Sequence, residues 1–493
     1  MAKNQITVAS FDRASLQGAL VRASGATNAV VPRQVDYLAQ YAGMLGTRTV
    51  VVEEHYVDRH YVEEYASYYS RMLEPPSNAV QRFHLFSRAF GGAELEEMFT
   101  SSASSDDRAQ EVRDRLRDVY LGFISVRPLP SVPIGRTVLR RLADNLPVRR
   151  EIWATCGHDV HLANLRLRVE GLAFQQQDQA VGACATAALW SALSRVARHD
   201  GMRAPTPAEV TAFASRHLLP YGRNMPASGG LTMQQLSEAV RGCGFAPEVV
   251  RADTKPEIFV LALHTYLLSG LPVVLELLGH GGGHAVTAVG FEDGGSPHPL
   301  LQTTFPVRSA CVKKIYVHDD RIGPYAKAFV SPVTHPDFGD RLLLQIEHET
   351  WLLNSGLIPV YPKLRLSVGS FVHLADRLTD LIETAVGSAR ATQLAVDFYY
   401  KRSGDYLSGL RGGWSAGTLV SFLGEVVLSR WCGIVRWHLG DALLAEFVYD
   451  TTDIVRPHGE PDGHLLRAIV CHDTSFRGTF QALAAYFGAP FLG

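Results

Sequence analysis

The run Phe174-Gln175-Gln176-Gln177-Asp178-Gln179-Ala180-Val181-Gly182-Ala183-Cys184 constrains what this chain can fold into more than any other part of it. A polar glutamine-rich segment leads to the breaker Gly182. Cys184 follows, and strong helix formers run from Ala185 to Arg198. Cys184 is therefore expected in the first turn of a helix, where unpaired backbone N–H groups and the helix dipole favour a thiolate. A lone cysteine on an Ala-rich helix is more often a small buried hydrophobe. What else the chain provides decides between the two.

A chain of 493 residues is too long for one core, and two or three domains are expected. Apolar residues make up 46% and charged residues 19%, the balance of a soluble globular protein. A net charge of −2 gives no reason to expect nucleic acid or an anionic membrane as partner. Arginine dominates the basic residues, the mark of a GC-rich bacterial genome. The six cysteines (156, 184, 243, 311, 432 and 471) are dispersed without a CxxC pair, which fits a reducing cytosol and no zinc knuckle. The first residues lack the apolar core of a secretory signal. The most apolar run, 258–278, is interrupted by His264, Gly270, Pro272 and Glu276 and is not expected to span a bilayer. A cytoplasmic protein follows, or an effector exported without a cleaved signal.

Residues 1–148 read as an N-terminal α/β region. It has a buried strand at Arg48–Val52, a helix over 58–73 ending before Pro75-Pro76, a charged helix over 106–117 and a strand at 120–126. Glu53-Glu54-His55 reads as a solvated strand end. Residues 149–338 read as a second domain. Alternation over 149–174 gives one or two strands, and Cys156, His158 and His161 lack a fourth metal ligand. Helices are expected from Thr206-Pro207, over 233–243 and over 256–268, then a strand at 273–277. The glycine loop Gly279–Gly283 places His284 at the start of a further strand, with His280 an inert loop residue, and 314–320 is a strand ending in acid. Residues 339–493 read as a C-terminal α+β region. It has mixed character over 341–353, a strand at 364–368, helices over 371–387 and 391–403, and a hairpin, 428–438 with 442–449. Cys471-His472-Asp473 cannot form one triad, because neighbours on a strand face opposite ways.

Cys184, His284 and Asp319 thus fall in order on a helix start, a strand start and the end of the next strand. A nucleophilic thiol needs a base, an orienter for that base and donors for the developing oxyanion. The arrangement resembles the papain-like cysteine peptidases, most closely the bacterial bacteriocin-leader-peptidase branch, over residues 170–330. The resemblance implies an α+β chain with a papain-like core flanked by accessory regions. It implies Cys184 as nucleophile, His284 as base and acid, and Asp319 as orienter, with no cofactor or metal. Asp320 stands beside Asp319 as an alternative. The family's oxyanion glutamine usually lies six residues before the cysteine. Here that position is Asp178, which leaves Gln177 and Gln179 as candidates, Gln177 preferred. The expected activity is hydrolysis of a protein or peptide substrate through an acyl-thioester. The same triad serves acyl transfer in arylamine acetyltransferases and transglutaminases, and a catalytically idle papain-like module would serve recognition.

Overall fold

The computed structural model describes residues 6–26, 31–102, 107–142, 150–178, 184–219, 230–253, 255–279, 281–336, 339–410, 413–452 and 465–493. The chain is a mixed α+β protein with three main sheets. The first has strands β1 (Ile6–Ser10), β2 (Thr49–Tyr56), β3 (Val80–Phe86), β4 (Tyr120–Val126) and β5 (Ile134–Leu139), in that order. Helices α1 (Arg13–Ala23) and α2 (Arg33–Met44) join β1 to β2. Helix α3 (Arg59–Ser67) follows β2, and α4 (Gly92–Ser102) and α5 (Asp107–Val119) join β3 to β4. Every neighbouring pair is antiparallel. This corrects the α/β expectation for the region. Between β1 and β2 and between β3 and β4, two helices return the chain to the end it left, so the next strand runs backwards, and β4 passes to β5 without a helix.

The middle of the chain begins with β6 (Arg150–Glu151) and the hairpin β7 (Cys156–Leu162) and β8 (Leu165–Gly171). The hairpin buries alternate residues, as its polar/apolar alternation requires. Helices α6 (Cys184–His199), α7 (Pro207–Ala214) and α8 (Met233–Gly242) follow, then β9 (Ala246–Arg251) and α9 (Pro256–Leu268). Thr206 and Thr232 start α7 and α8 with capping boxes to Glu209 and Gln235. Six strands come next: β10 (Val273–Gly279), β11 (Gly282–Asp293), β12 (Val312–Asp319), β13 (Gly323–His335), β14 (Gly339–Ile346) and β15 (Glu349–Val360). Each pairs antiparallel with the next, and β15 pairs back onto β10, so the six close a barrel. β9 pairs with the far end of β15, beyond β14, and β6 with the far end of β11. The boundary expected at 338/339 therefore falls inside the barrel, which runs on to Val360.

The C-terminal sheet is β16 (Leu394–Arg402), β17 (Trp431–Leu439), β18 (Ala442–Asp450), β19 (Leu466–Cys471) and β20 (Phe491–Leu492). It is accompanied by α10 (Val368–Val386), α11 (Ser388–Ala391), α12 (Ser403–Leu410), α13 (Ala416–Glu425) and α14 (Arg477–Phe487). The expected helix over 391–403 is mostly strand β16. Its Val396, Phe398, Tyr399 and Tyr400 are β-branched or aromatic and pack better on a pleated surface than on a helix. The expected strand at 364–368 is irregular chain leading into α10. Among the described residues no helix is long and apolar enough to cross a membrane.

Helix α6 sits at the centre. Twelve of its residues are buried, and Trp190 Nε1 donates to Pro205 O at 3.1 Å. Its alanines bring the backbone close to β11, where Thr287 Oγ1 donates to Ala188 O at 2.7 Å. The strand that carries His284 is thus fixed against the helix that begins with Cys184.

Candidate active site

The segment before Cys184 is held by the N-terminal sheet. Phe174 exchanges backbone hydrogen bonds with Thr137 (2.8 and 2.9 Å), and Gln176 N–H donates to Ile134 O at 3.1 Å, so the glutamines extend along the edge of β5. A buried polar network then fixes their side chains. Gln175 Nε2 donates to Glu64 Oε1 at 2.6 Å, and Arg127 donates to Gln176 O at 3.0 Å and to Val132 O at 3.0 Å. The same guanidinium lies 3.4 Å from Glu64 and 3.3 Å from Asp178, whose carboxylate also accepts from Tyr69 Oη at 2.5 Å. Glu64 and Arg127 are almost fully excluded from solvent. Burial, opposed by Arg127 and reinforced by Asp178, raises Glu64 to about 7. The acid at position 178 is thereby turned into the fold, while Gln177 lines the cleft with Cys184 and His284. Gln179 and His280 lie outside the described residues.

Cys184 is the first residue of α6 and is half-buried, unlike the fully buried Cys156, Cys432 and Cys471. His284 lies on β11, opposite Leu277 of β10, with only 6% exposure. Its Nε2 is 3.1 Å from Asp319 Oδ1, at the end of β12. The same oxygen accepts the Arg321 backbone N–H at 2.9 Å, which fixes the carboxylate against the ring. Asp320 is farther, at 4.0 Å, and neither of its carboxylate oxygens has a hydrogen-bond partner. Burial first, then the neighbouring Asp319, raise Asp320 to about 7, with His284 opposing. Of the two acids, Asp319 is the one bonded to the imidazole.

Burial lowers the pKa of His284, but the hydrogen bond to Asp319, the nearby Cys184 thiol, and the charges of Asp319 and Asp320 outweigh it and raise it to about 10. With Nε2 on Asp319, Nδ1 is the nitrogen left for the thiol. The pair is thus set up as imidazolium beside sulfur, the state a thiol nucleophile needs.

These side chains border a cleft of about 560 Å³. One wall is the glycine loop, and a Cβ built on Gly281 or Gly282 would meet only open space. Gly282 has φ +115°, a conformation that side chains resist. Trp351 also lines the cleft, packed directly against Gly279, with its ring 5.4 Å from that of His284. Arg321 stands 5.5 Å from the Trp351 ring and pairs with Glu349 at 2.7 Å. Trp351 and Glu349 were not legible in the sequence, because β15 reaches the site only through barrel closure, and Arg321, in the turn after Asp319, joins the site by stacking on Trp351 and pairing with Glu349.

His284, Asp319 and Asp320 are also the one set among the described residues whose ligand atoms all lie within 4.8 Å of one another. A cation there would compete for the His284–Asp319 hydrogen bond. Cys156 Sγ is 3.4 Å from His158 Nε2, inside the fold, while His161 faces solvent, so the three do not converge. Glu53, expected at a solvated strand end, is instead buried against Arg82 (2.8 Å) and His84 (2.9 Å) on β3, whereas His55 is exposed. Cys471 and His472 point apart, His472 reaching Glu446 at 3.3 Å. No protein-family profile and no curated protein matches this chain.

Proposed function

We propose that the chain is a papain-like cysteine peptidase acting on a protein or peptide substrate. The observation that carries this reading is the His284–Asp319 hydrogen bond of 3.1 Å, in an open cleft that His284 lines together with Cys184. In the proposed reaction the Cys184 thiolate adds to the substrate carbonyl. The oxyanion takes hydrogen bonds from the backbone N–H of Cys184, unpaired at a helix start, and from the Gln177 amide. His284 then gives its proton to the leaving amine as the C–N bond breaks, leaving an acyl-thioester. Water, deprotonated by His284, adds to the thioester, and the acid product leaves as sulfur recovers its thiolate. Asp319 keeps the ring oriented throughout. All six cysteines are free, which suits a cytoplasmic setting.

Alkylation by iodoacetamide near neutral pH, with the modified residue mapped by mass spectrometry, tests the thiol. Cys184 should label faster than the other five cysteines and lose that advantage in His284→Ala. Equal labelling of all six sinks the catalytic reading. Products formed with and without an added amine separate hydrolysis from acyl transfer.

A further inference from the structure

The C-terminal end of α6 borders a second cavity, of about 350 Å³, walled by α6, the end of α9 and strands β16 and β17. Arg195 lines it from α6. Arg195 is 8% exposed, its Nε has no hydrogen-bond partner, and its guanidinium makes no ion pair with a carboxylate among the described residues. A buried, unpaired guanidinium is costly, and a bound anion removes the cost.

The surroundings add positive charge. Lys401, Arg402 and Arg436 share the lining with only two carboxylates, Glu151 and Asp405. Asp200, just behind, is taken by Arg402 at 2.6 Å and Arg430 at 2.5 Å, and Glu446 by Arg436 at 2.9 Å. Neither neutralises Arg195. His199, one turn beyond Arg195, is lowered to about 4 by burial and by the charges of Arg195 and Arg402, so it stands neutral as a further hydrogen-bonding group. Two tryptophans also line the cavity: Trp153, which is exposed, and Trp431, which is buried and stacked on Tyr361 at 4.3 Å.

We propose that this cavity binds an organic oxyanion, a carboxylate or phosphate carried on a flat apolar body, with Arg195 as the recognition residue. The guanidinium fork matches both head groups, and the exposed Trp153 offers a face for a planar body beside it. The volume is that of a small-molecule site. At 1.5 Å per residue the site lies about 16 Å along α6 from Cys184 and does not depend on the peptidase reading.

The test is a titration of the full chain with phenyl phosphate, benzoate and inorganic phosphate at low ionic strength, read by tryptophan fluorescence. Saturable change with phenyl phosphate or benzoate is expected, and the tighter of the two identifies the head group. Arg195→Gln should weaken binding about tenfold or more. Lys401→Glu, a half-buried position at the rim whose change leaves the core intact, should also weaken it, and carries the test if Arg195→Gln does not fold. No saturable change up to about 10 mM overturns the proposal. So does unchanged affinity in the variants, or inorganic phosphate binding as tightly as phenyl phosphate.

Discussion

Replacing Arg127 with methionine keeps an apolar stem and removes the guanidinium that joins Glu64 to Asp178. Both carboxylates stay buried, with 0% and 6% exposure, and the carbonyls of Gln176 and Val132 lose their charged donors. Breaking a buried ion pair by removing one partner costs about 3–5 kcal/mol. Against a total stability of about 5–15 kcal/mol, that is a large fraction. Urea unfolding followed by circular dichroism should show the loss. Iodoacetamide labelling of Cys184 should slow as well, because the segment that leads into it is no longer pinned. The triple variant Arg127→Met, Glu64→Gln, Asp178→Asn removes the stranded charges and should recover most of the stability, since neutral replacement of a buried ion network is often harmless. A loss below about 1 kcal/mol for the single variant, or a triple variant no more stable than the single, refutes the claim that this network holds the pre-cysteine segment.

Asp319→Asn should lower peptidase turnover by about two to four orders of magnitude while leaving the fold intact, and kcat on any cleaved peptide measures it; a loss under about tenfold places the orienter elsewhere. Gln177→Ala should cost about 100-fold in turnover yet leave iodoacetamide labelling of Cys184 unchanged, because alkylation develops no oxyanion. If Gln179→Ala carries the loss instead, the oxyanion donor is reassigned. His284 is raised in the folded chain from 6.5 to about 10, so its contribution to stability is fully present below pH 6.5 and lost as pH rises through about 10. The urea midpoint of the parent chain should therefore fall relative to His284→Ala across that window, and a constant gap between the two contradicts the assignment.

Much of the site could be read from local pattern. Gly182 followed by a cysteine and an alanine-rich run signals the start of α6, and the glycine loop before His284 signals a strand entering open space. Asp319 could be placed because β12 is short and ends in acid. The rest depended on contacts far apart in sequence. Trp351 meets His284 only because β15 returns to β10, and Glu64 and Arg127 reach Gln175 and Asp178 from 111 and 51 residues away. The helix expected over 391–403 is strand in 394–402, where aromatic and β-branched side chains pair with the neighbouring strand β17 as β16. In 341–353 the strand half of the expected mixed character holds, in β14 and β15, whose Leu342, Leu344 and Leu353 point inward.

The return of β15 to β10 also sets the smallest piece of this chain that can stand alone. A fragment ending at 338 lacks β14 and β15, which leaves β10 and β13 with bare rows of N–H and C=O groups and takes from β9 the strand it pairs with. Such open edges pair with other copies of themselves, so a fragment of that length should self-associate however intact its cysteine, histidine and aspartate. Extending it to Val360 closes the ring and covers both edges. The transferable unit is therefore bounded by the last strand of the barrel and reaches well past the residues that carry the chemistry.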